Sequence, residues 1–343
     1  MGERSLSTIF KAYDVRGTVP DQLGARDAYA IGAAFGRFAS KEGQGDRALV
    51  ARDMRRSGET LSRALVAGLA SVGVPAVDLG LASTDLLYFA SGHLSAPGVM
   101  LTASHNPSEY NGMKLCLAGA RPVGQESGLG EIRELAEEAL GRAPDGAELD
   151  AAIAAAQPER RDLLEAFAEH VRTFVDEGAL RRLVVVADTA NGMGGLVAPA
   201  VFDGLPFELE VLFGELDGTF PNHPADPIQV ENLAALRARI RERGADVGLA
   251  FDGHADRVFL VDEVGEPLSG STTTAMVASV MLERHPGATI LHNCICSKAV
   301  PEIVREQGGP PLRTRFERYA DSGEINTRVD DPGAVIDAVA AHY

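Results

Sequence analysis

The chain has 343 residues, 45% hydrophobic and 24% charged, with a formal charge of −17 at pH 7. That length is more than one core usually organises, so two or three domains are expected. The negative field disfavours nucleic acid and anionic membranes as partners, no apolar run is long enough to span a bilayer, and an anionic substrate needs a local basic pocket.

Short apolar strands alternate with amphipathic helices, an α/β pattern. The N-terminal stretch MGERSLSTIFKAYDVRG lacks the apolar centre of a signal peptide. RALVARD (47–53) reads as a strand, TLSRALVAGLASVG (60–73) as a helix ending at glycine, and PAVDLG (75–80) and GVMLTAS (98–104) as further strands. An Ala-rich, charged stretch, 143–176, is expected to hold linking helices. A second unit begins at RRLVVVADTANGMGG (181–195), where a strand meets a glycine-rich turn. It continues through FELEVLF (207–213), a helix over 230–243, and DVGLAFDGHADRVFLVDE (246–263). A third runs from ATILHNC (288–294) through the helix SKAVPEIVREQG (297–308) to a short strand ending near Arg315. The three cysteines are Cys116, Cys294 and Cys296, a sparse, odd count that fits a reducing cytoplasm. Cys294-Ile295-Cys296 is read as alternation along a buried strand rather than as a metal pair.

Three places can carry chemistry. Ser104 ends a strand in TASHNP and is expected to face a cleft, with His105 and Asn106 beside it. A plain turn explains the same residue types. Lys114, after the Asn111-Gly112 turn, favours phosphoryl chemistry, which needs charge neutralised. In FDGHADR (251–257), Asp252, His254 and Asp256 converge on one cation if the loop curls. Oxygen ligands suit Mg²⁺, whereas an imidazole pulls toward Zn²⁺, Mn²⁺ or Ni²⁺; a surface acidic turn is the alternative. Arg257 can hold a phosphate or pair with an aspartate. Near the N-terminus, Lys11 and Arg16 flank Tyr13 and Asp14; Arg52, Arg55 and Arg56 follow a strand. Together these cations offer the positive pocket that a phosphorylated ligand requires.

FKAYDVRG (10–17), RDMR (52–55), TASHNP (102–107), NGMK (111–114), FPNHPADP (220–227) and FDGHADR resemble the α-D-phosphohexomutases, most closely the bacterial phosphomannomutase/phosphoglucomutase group. The resemblance implies tandem mixed-sheet α/β domains, truncated on the C-terminal side: domain one over 1–150, domain two over 151–262, a partial domain three over 263–315 and a fragment of domain four over 316–343. It implies that Ser104 carries a phosphoryl group, gives it to a hexose phosphate and takes back the other phosphoryl group of the resulting bisphosphate. Mg²⁺ would be held by Ser104, Asp252, His254 and Asp256, with a hexose bisphosphate as activator. Arg16, Lys114 and Arg257 would surround the transferring group, Lys114 would assist proton transfer, and His105 would support the loop.

Three departures from the family pattern are expected to matter. The middle metal ligand, usually acidic, is His254, which implies weaker Mg²⁺ binding and an altered metal preference. PLRTR (311–315) runs directly into FERYADSGEINTRVDD (316–331), so the segment that reads sugar hydroxyls is expected to be missing. The chain stops at VIDAVAAHY (335–343) before an arginine- and serine-rich phosphate-gripping loop. The alternative to a mutase is therefore an impaired remnant that binds metal or phosphosugar, or hydrolyses its phosphoserine slowly. The choice between mannose and glucose, and the oligomeric state, are left open.

Overall fold

A computed structural model describes residues 5–314. The first of two compact units runs from Met1 to Pro267. It opens with β1 (Val15–Thr18), α1 (Ala25–Lys41), β2 (Ala48–Arg52), α2 (Gly58–Ser71), β3 (Ala76–Leu81), α3 (Thr84–His93), β4 (Gly98–Leu101), β5 (Tyr110–Leu117), β6 (Arg121–Pro122) and α4 (Gly130–Arg142). The linking stretch forms α5 (Gly146–Ala155), β7 (Glu159–Arg160) and α6 (Leu164–Arg172).

The first sheet has the order β1-β5-β4-β2-β3-β7, with β6 on β5. Strands β4, β2, β3 and β7 are parallel, whereas β1 and β5 are antiparallel to their neighbours, so the sheet is mixed. β2 is buried along nearly its whole length because helices cover both faces. Successive residues point to opposite cores: Ala48 and Val50 join Phe35 and Leu65 under α1 and α2, while Leu49 and Ala51 join Leu87 and Phe167 under α3 and α6. α1 buries Ala28, Ile31, Phe35 and Phe38, a helical spacing.

The second sheet comprises β8 (Leu183–Asp188), β9 (Phe207–Leu212), β10 (Val247–Phe251) and β11 (Val258–Val261), in the order β11-β10-β8-β9. α7 (Gly194–Phe202) follows β8, and α8 (Ala234–Arg243) precedes β10. The helix expected over 230–243 is divided: residues Val230–Leu233 form a tight 3-10 turn before α8. Leu236 and Ile240 of α8 pack on Val186, Ala250 and Val261.

The second unit begins at Leu268. Its described elements are α9 (Gly270–Arg284), β12 (Ile290–His292), α10 (Ala299–Glu306) and β13 (Pro311–Arg313), with β12 and β13 parallel. Ala278, Leu282 and Val304 form its small core. Here the cysteine expectation fails. Cys294 is exposed and Cys296 half-buried, both beyond the end of β12. Asn293 ends the strand: its Oδ1 accepts the backbone N–H groups of Ile295 and Cys296, turning the chain outward. The expected fourth-domain fragment, 316–343, lies outside the described residues. No helix among those described is long and apolar enough to cross a membrane.

Candidate active site

The loops that leave the C-terminal ends of β4 and β10 meet inside the first unit, where open α/β sheets place their ligands. After β4 the chain turns through Thr102, Ala103 and Ser104. Ser104 has φ 55°, a left-handed conformation uncommon outside glycine. Contrary to expectation, it is fully buried. The reason is local: Asp252, His254 and His105 close over its hydroxyl, with Oγ 3.3 Å from Asp252 Oδ2, 3.5 Å from His254 Nδ1 and 3.3 Å from His105 Nδ1.

The basic cluster after β2 also differs from its expected role. Arg56 is exposed, but Arg55 is buried beneath the serine loop. Its guanidinium donates to the carbonyl oxygens of Ser104 (2.9 Å), Asn106 (2.7 Å), Pro107 (2.7 Å) and Tyr110 (3.0 Å), and to Asp53 Oδ2 (3.2 Å). Burial pushes its pKa down, opposed by Asp53. Arg55 is thus a scaffold for the loop rather than part of an open phosphate pocket.

Beyond β10, the acidic loop curls. His254 lies between two carboxylates, Nδ1 2.7 Å from Asp252 Oδ2 and Nε2 2.9 Å from Asp256 Oδ2. Lys114, on β5, brings Nζ to 3.0 Å from His254 Nε2 and 3.2 Å from Asp256 Oδ2. Burial disfavours the charged ring of His254, yet Asp252 and Asp256 outweigh burial and Lys114, holding its pKa above the ordinary value. Burial likewise opposes ionisation of Asp256, but His254, Lys114 and Arg257 hold its carboxyl well below the usual carboxylate range. Arg257 places Nη1 3.2 Å from His105 Nδ1 and Nε 3.9 Å from Asp256 Oδ1. Arg16, on β1, reaches the serine loop through Asn106 Oδ1 (2.5 Å) and pairs with Asp14 (2.6 Å).

The residues fit a divalent cation. Ligand atoms of Asp252, His254 and Asp256 all lie within 4.8 Å of one another. Asp256 Oδ1 is buried without a hydrogen-bond partner, an orphaned acceptor that a cation would satisfy. The donor set is two carboxylates and an imidazole.

Several contributors escape a reading of the sequence. Gly253 is packed so closely that a Cβ there would meet the Ser104 carbonyl oxygen at 2.8 Å. Phe220 lays its ring 5.3 Å from Arg55 Cζ. Asp188, at the end of β8, receives His223 Nε2 at 3.1 Å on each oxygen, while His223 Nδ1 lies 2.9 Å from the Pro224 carbonyl. The pair ties the PNHPAD segment to the turn after β8. Both stretches stand out in the sequence, but nothing in them says that they touch.

Two family models match: phosphoglucomutase/phosphomannomutase α/β/α domain I over residues 7–140 and domain II over 163–265. A protein of Xanthomonas campestris pv. campestris (strain B100) named "Phosphohexose mutases" is 38% identical over 398 residues, covering 97% of this chain and 86% of its own length. That alignment is longer than this chain, so the relative carries internal positions with no counterpart here. The phosphomannomutase of Salmonella montevideo is 35% identical, with 90% of this chain and 67% of that protein covered. For the phosphomannomutase/phosphoglucomutase of Pseudomonas putida the values are 38%, 89% and 63%; the chain thus spans about two thirds of the length of both. A crystal structure of a phosphoglucomutase/phosphomannomutase family protein from Burkholderia thailandensis superposes with a TM-score of 0.80 at 34% identity, covering 92% of this chain and 68% of that one. With its mixed α/β sheets and the matched domains, the chain belongs to the phosphoglucomutase/phosphomannomutase family of phosphohexose mutases.

Proposed function

We propose that this chain interconverts the 6- and 1-phosphates of mannose or glucose through a phosphoserine at Ser104. The observation that carries the reading is the convergence on one buried hydroxyl: Asp252 and His254 come within 3.5 Å of Ser104 Oγ, and Lys114 touches His254. In the forward step the bond from phosphorus to Ser104 Oγ breaks as a bond forms to a free hydroxyl oxygen of the hexose phosphate. The bisphosphate then turns, and its other phosphoryl group returns to Ser104. Phosphoryl transfer depends on positioning and charge neutralisation more than on covalent chemistry from the protein.

Position supports the following residue roles. Lys114, as its neutral amine, takes the hydroxyl proton, and Asp256, whose Oδ2 lies 3.2 Å from Nζ, balances the ammonium that forms. Arg257 neutralises the transferring group from the side of His105, and Arg16 does so from the Asn106 side of the loop. His105 orients Ser104 Oγ. Ser104, Asp252, His254 and Asp256 would hold a divalent cation, Mg²⁺ in the family's manner, which supplies Lewis-acid stabilisation of the transferring phosphoryl oxygens. The imidazole of His254 tilts that preference toward Mn²⁺ or Zn²⁺. A hexose bisphosphate is needed as activator, because an unphosphorylated Ser104 must first be loaded by a donor with two phosphoryl groups. We assign residues 1–150 to the serine domain, 151–262 to the metal-loop domain and 263–315 to a partial third domain. A cytoplasmic location suits the free thiols Cys116, Cys294 and Cys296.

The test is a coupled assay on the purified chain with mannose 1-phosphate or glucose 1-phosphate and the matching bisphosphate. Isomerised product supports the reading. Phosphate release without isomerised sugar would favour slow hydrolysis of the phosphoserine instead.

A further inference from the structure

Ser104 is held at both of its peptide groups by residues that lie outside the reaction. Its N–H donates to Thr102 Oγ1 (3.0 Å), and the Thr102 hydroxyl donates to Asp53 Oδ2 (2.7 Å). Its carbonyl oxygen accepts from Arg55 Nη2 (2.9 Å). Asp53 in turn takes the Arg55 backbone N–H on Oδ1 (3.0 Å) and the guanidinium Nε on Oδ2 (3.2 Å). Asp53, Arg55, Thr102 and Ser104 are all buried.

The backbone explains why so much is built around one residue. A non-glycine residue in the left-handed region persists only where its surroundings over-determine it. Here one hydrogen bond fixes the amide before Ser104 and another the carbonyl after it, and Arg55 fixes two more carbonyls of the same loop and that of Tyr110 at the start of β5. A phosphate-binding arginine keeps donors for its ligand. Every guanidinium nitrogen of Arg55 is instead committed to the protein, and the ring of Phe220 lies over it.

We infer that Asp53, Arg55 and Thr102 are positioning residues: together they fix where Ser104 Oγ stands, and so set the rate of phosphoryl transfer without touching the sugar. This rests on Ser104 being the phosphoryl carrier. Lysine cannot replace Arg55, since a point ammonium lacks the planar fork that reaches carbonyls in several directions.

The test compares wild type with Thr102→Val, Thr102→Ser and Arg55→Lys. Four quantities are read: the rate of phosphoryl transfer to Ser104 from a hexose 1,6-bisphosphate, kcat for the hexose phosphate, its KM, and hydrogen exchange of the peptide containing Ser104. Valine keeps the shape of threonine and removes only the hydroxyl. Its kcat is expected to fall about 100-fold, the scale of a 1 Å misplacement. KM should stay within about twofold, as for an interaction made only in the transition state. Exchange at Ser104 should speed up, and serine at 102 should restore most of the rate. Arg55→Lys should lose at least as much; if it does not fold, the Thr102 pair decides. Wild-type kcat in Thr102→Val, a rise in KM at constant kcat, or no rescue by serine would each overturn the inference. A wild type that takes up no phosphoryl group at Ser104 would overturn the functional reading as well.

Discussion

Ser104 Oγ lies 3.3 Å from Asp252 Oδ2, across 148 residues of sequence and between loops from two different sheets. That contact turns two unremarkable turns into one site. In the proposed reading the two loops are complementary: one offers a hydroxyl, the other a group of side chains that could hold a cation.

The ligand at 254 should be legible in metal binding. Calorimetric titration of the wild type is expected to show Mn²⁺ or Zn²⁺ binding more tightly than Mg²⁺, because imidazole suits the softer ions. His254→Asp adds a third carboxylate ligand and a negative charge, and should tighten Mg²⁺ binding roughly tenfold. Identical Mg²⁺ affinity in the two proteins would mean that position 254 does not ligate.

The junction between the loops should be intolerant of a single methyl group. In Gly253→Ala the new Cβ meets the Ser104 carbonyl at 2.8 Å, with Ala225 and Phe220 behind it. Backbone must move, at a cost of about 1–3 kcal/mol for an overpacked site. Urea denaturation should show the lower midpoint, and transfer to Ser104 should slow as the loops separate. An unchanged midpoint and rate would show that the two loops are not packed this way.

His223 gives a pH signature separate from the cation site. Burial opposes its charge, but Asp188 and the Pro224 carbonyl raise its pKa above the ordinary 6.5. A folded pKa above the unfolded one means that protonation favours the fold. The stabilisation is therefore complete below 6.5 and is lost as pH rises through the raised folded value. Melting temperatures of wild type and His223→Gln should differ most in mildly acid buffer and converge in alkaline buffer. His254 is present in both proteins, so its own titration cancels. A gap that is constant with pH would contradict the charged pair.

Much of this was readable in the residues. The alternation of strands and helices was legible. The serine at a strand end, the lysine after Asn111-Gly112 and the carboxylates at 252 and 256 pointed to the chemistry only in combination, because serine and aspartate are also ordinary turn residues. Asn111-Gly112 proves to lie within β5 rather than in a turn. Burial was not readable. Ser104 was expected to face a cleft, yet it is closed over by side chains from a loop far along the chain. Arg55 looked like a phosphate ligand because charge at a strand end suggests one. Its role depends on loop carbonyls that point inward, and a sequence records side chains rather than carbonyl directions. Cys294 and Cys296 failed for a local reason: Asn293 ends the strand before them. The Asp188–His223 contact is long-range, so its two motifs were visible and their meeting was not.

The most direct measurement is site-specific mass spectrometry of the chain after incubation with a hexose 1,6-bisphosphate and a divalent metal, alongside Ser104→Ala. The expected result is one added phosphoryl group on the Ser104 peptide, absent from the alanine variant, and lost when hexose monophosphate is supplied. A folded wild-type chain that takes up no phosphoryl group, or takes it up at another residue, would contradict the claim that Ser104 and the 252–256 loop form a phosphoryl-transfer site.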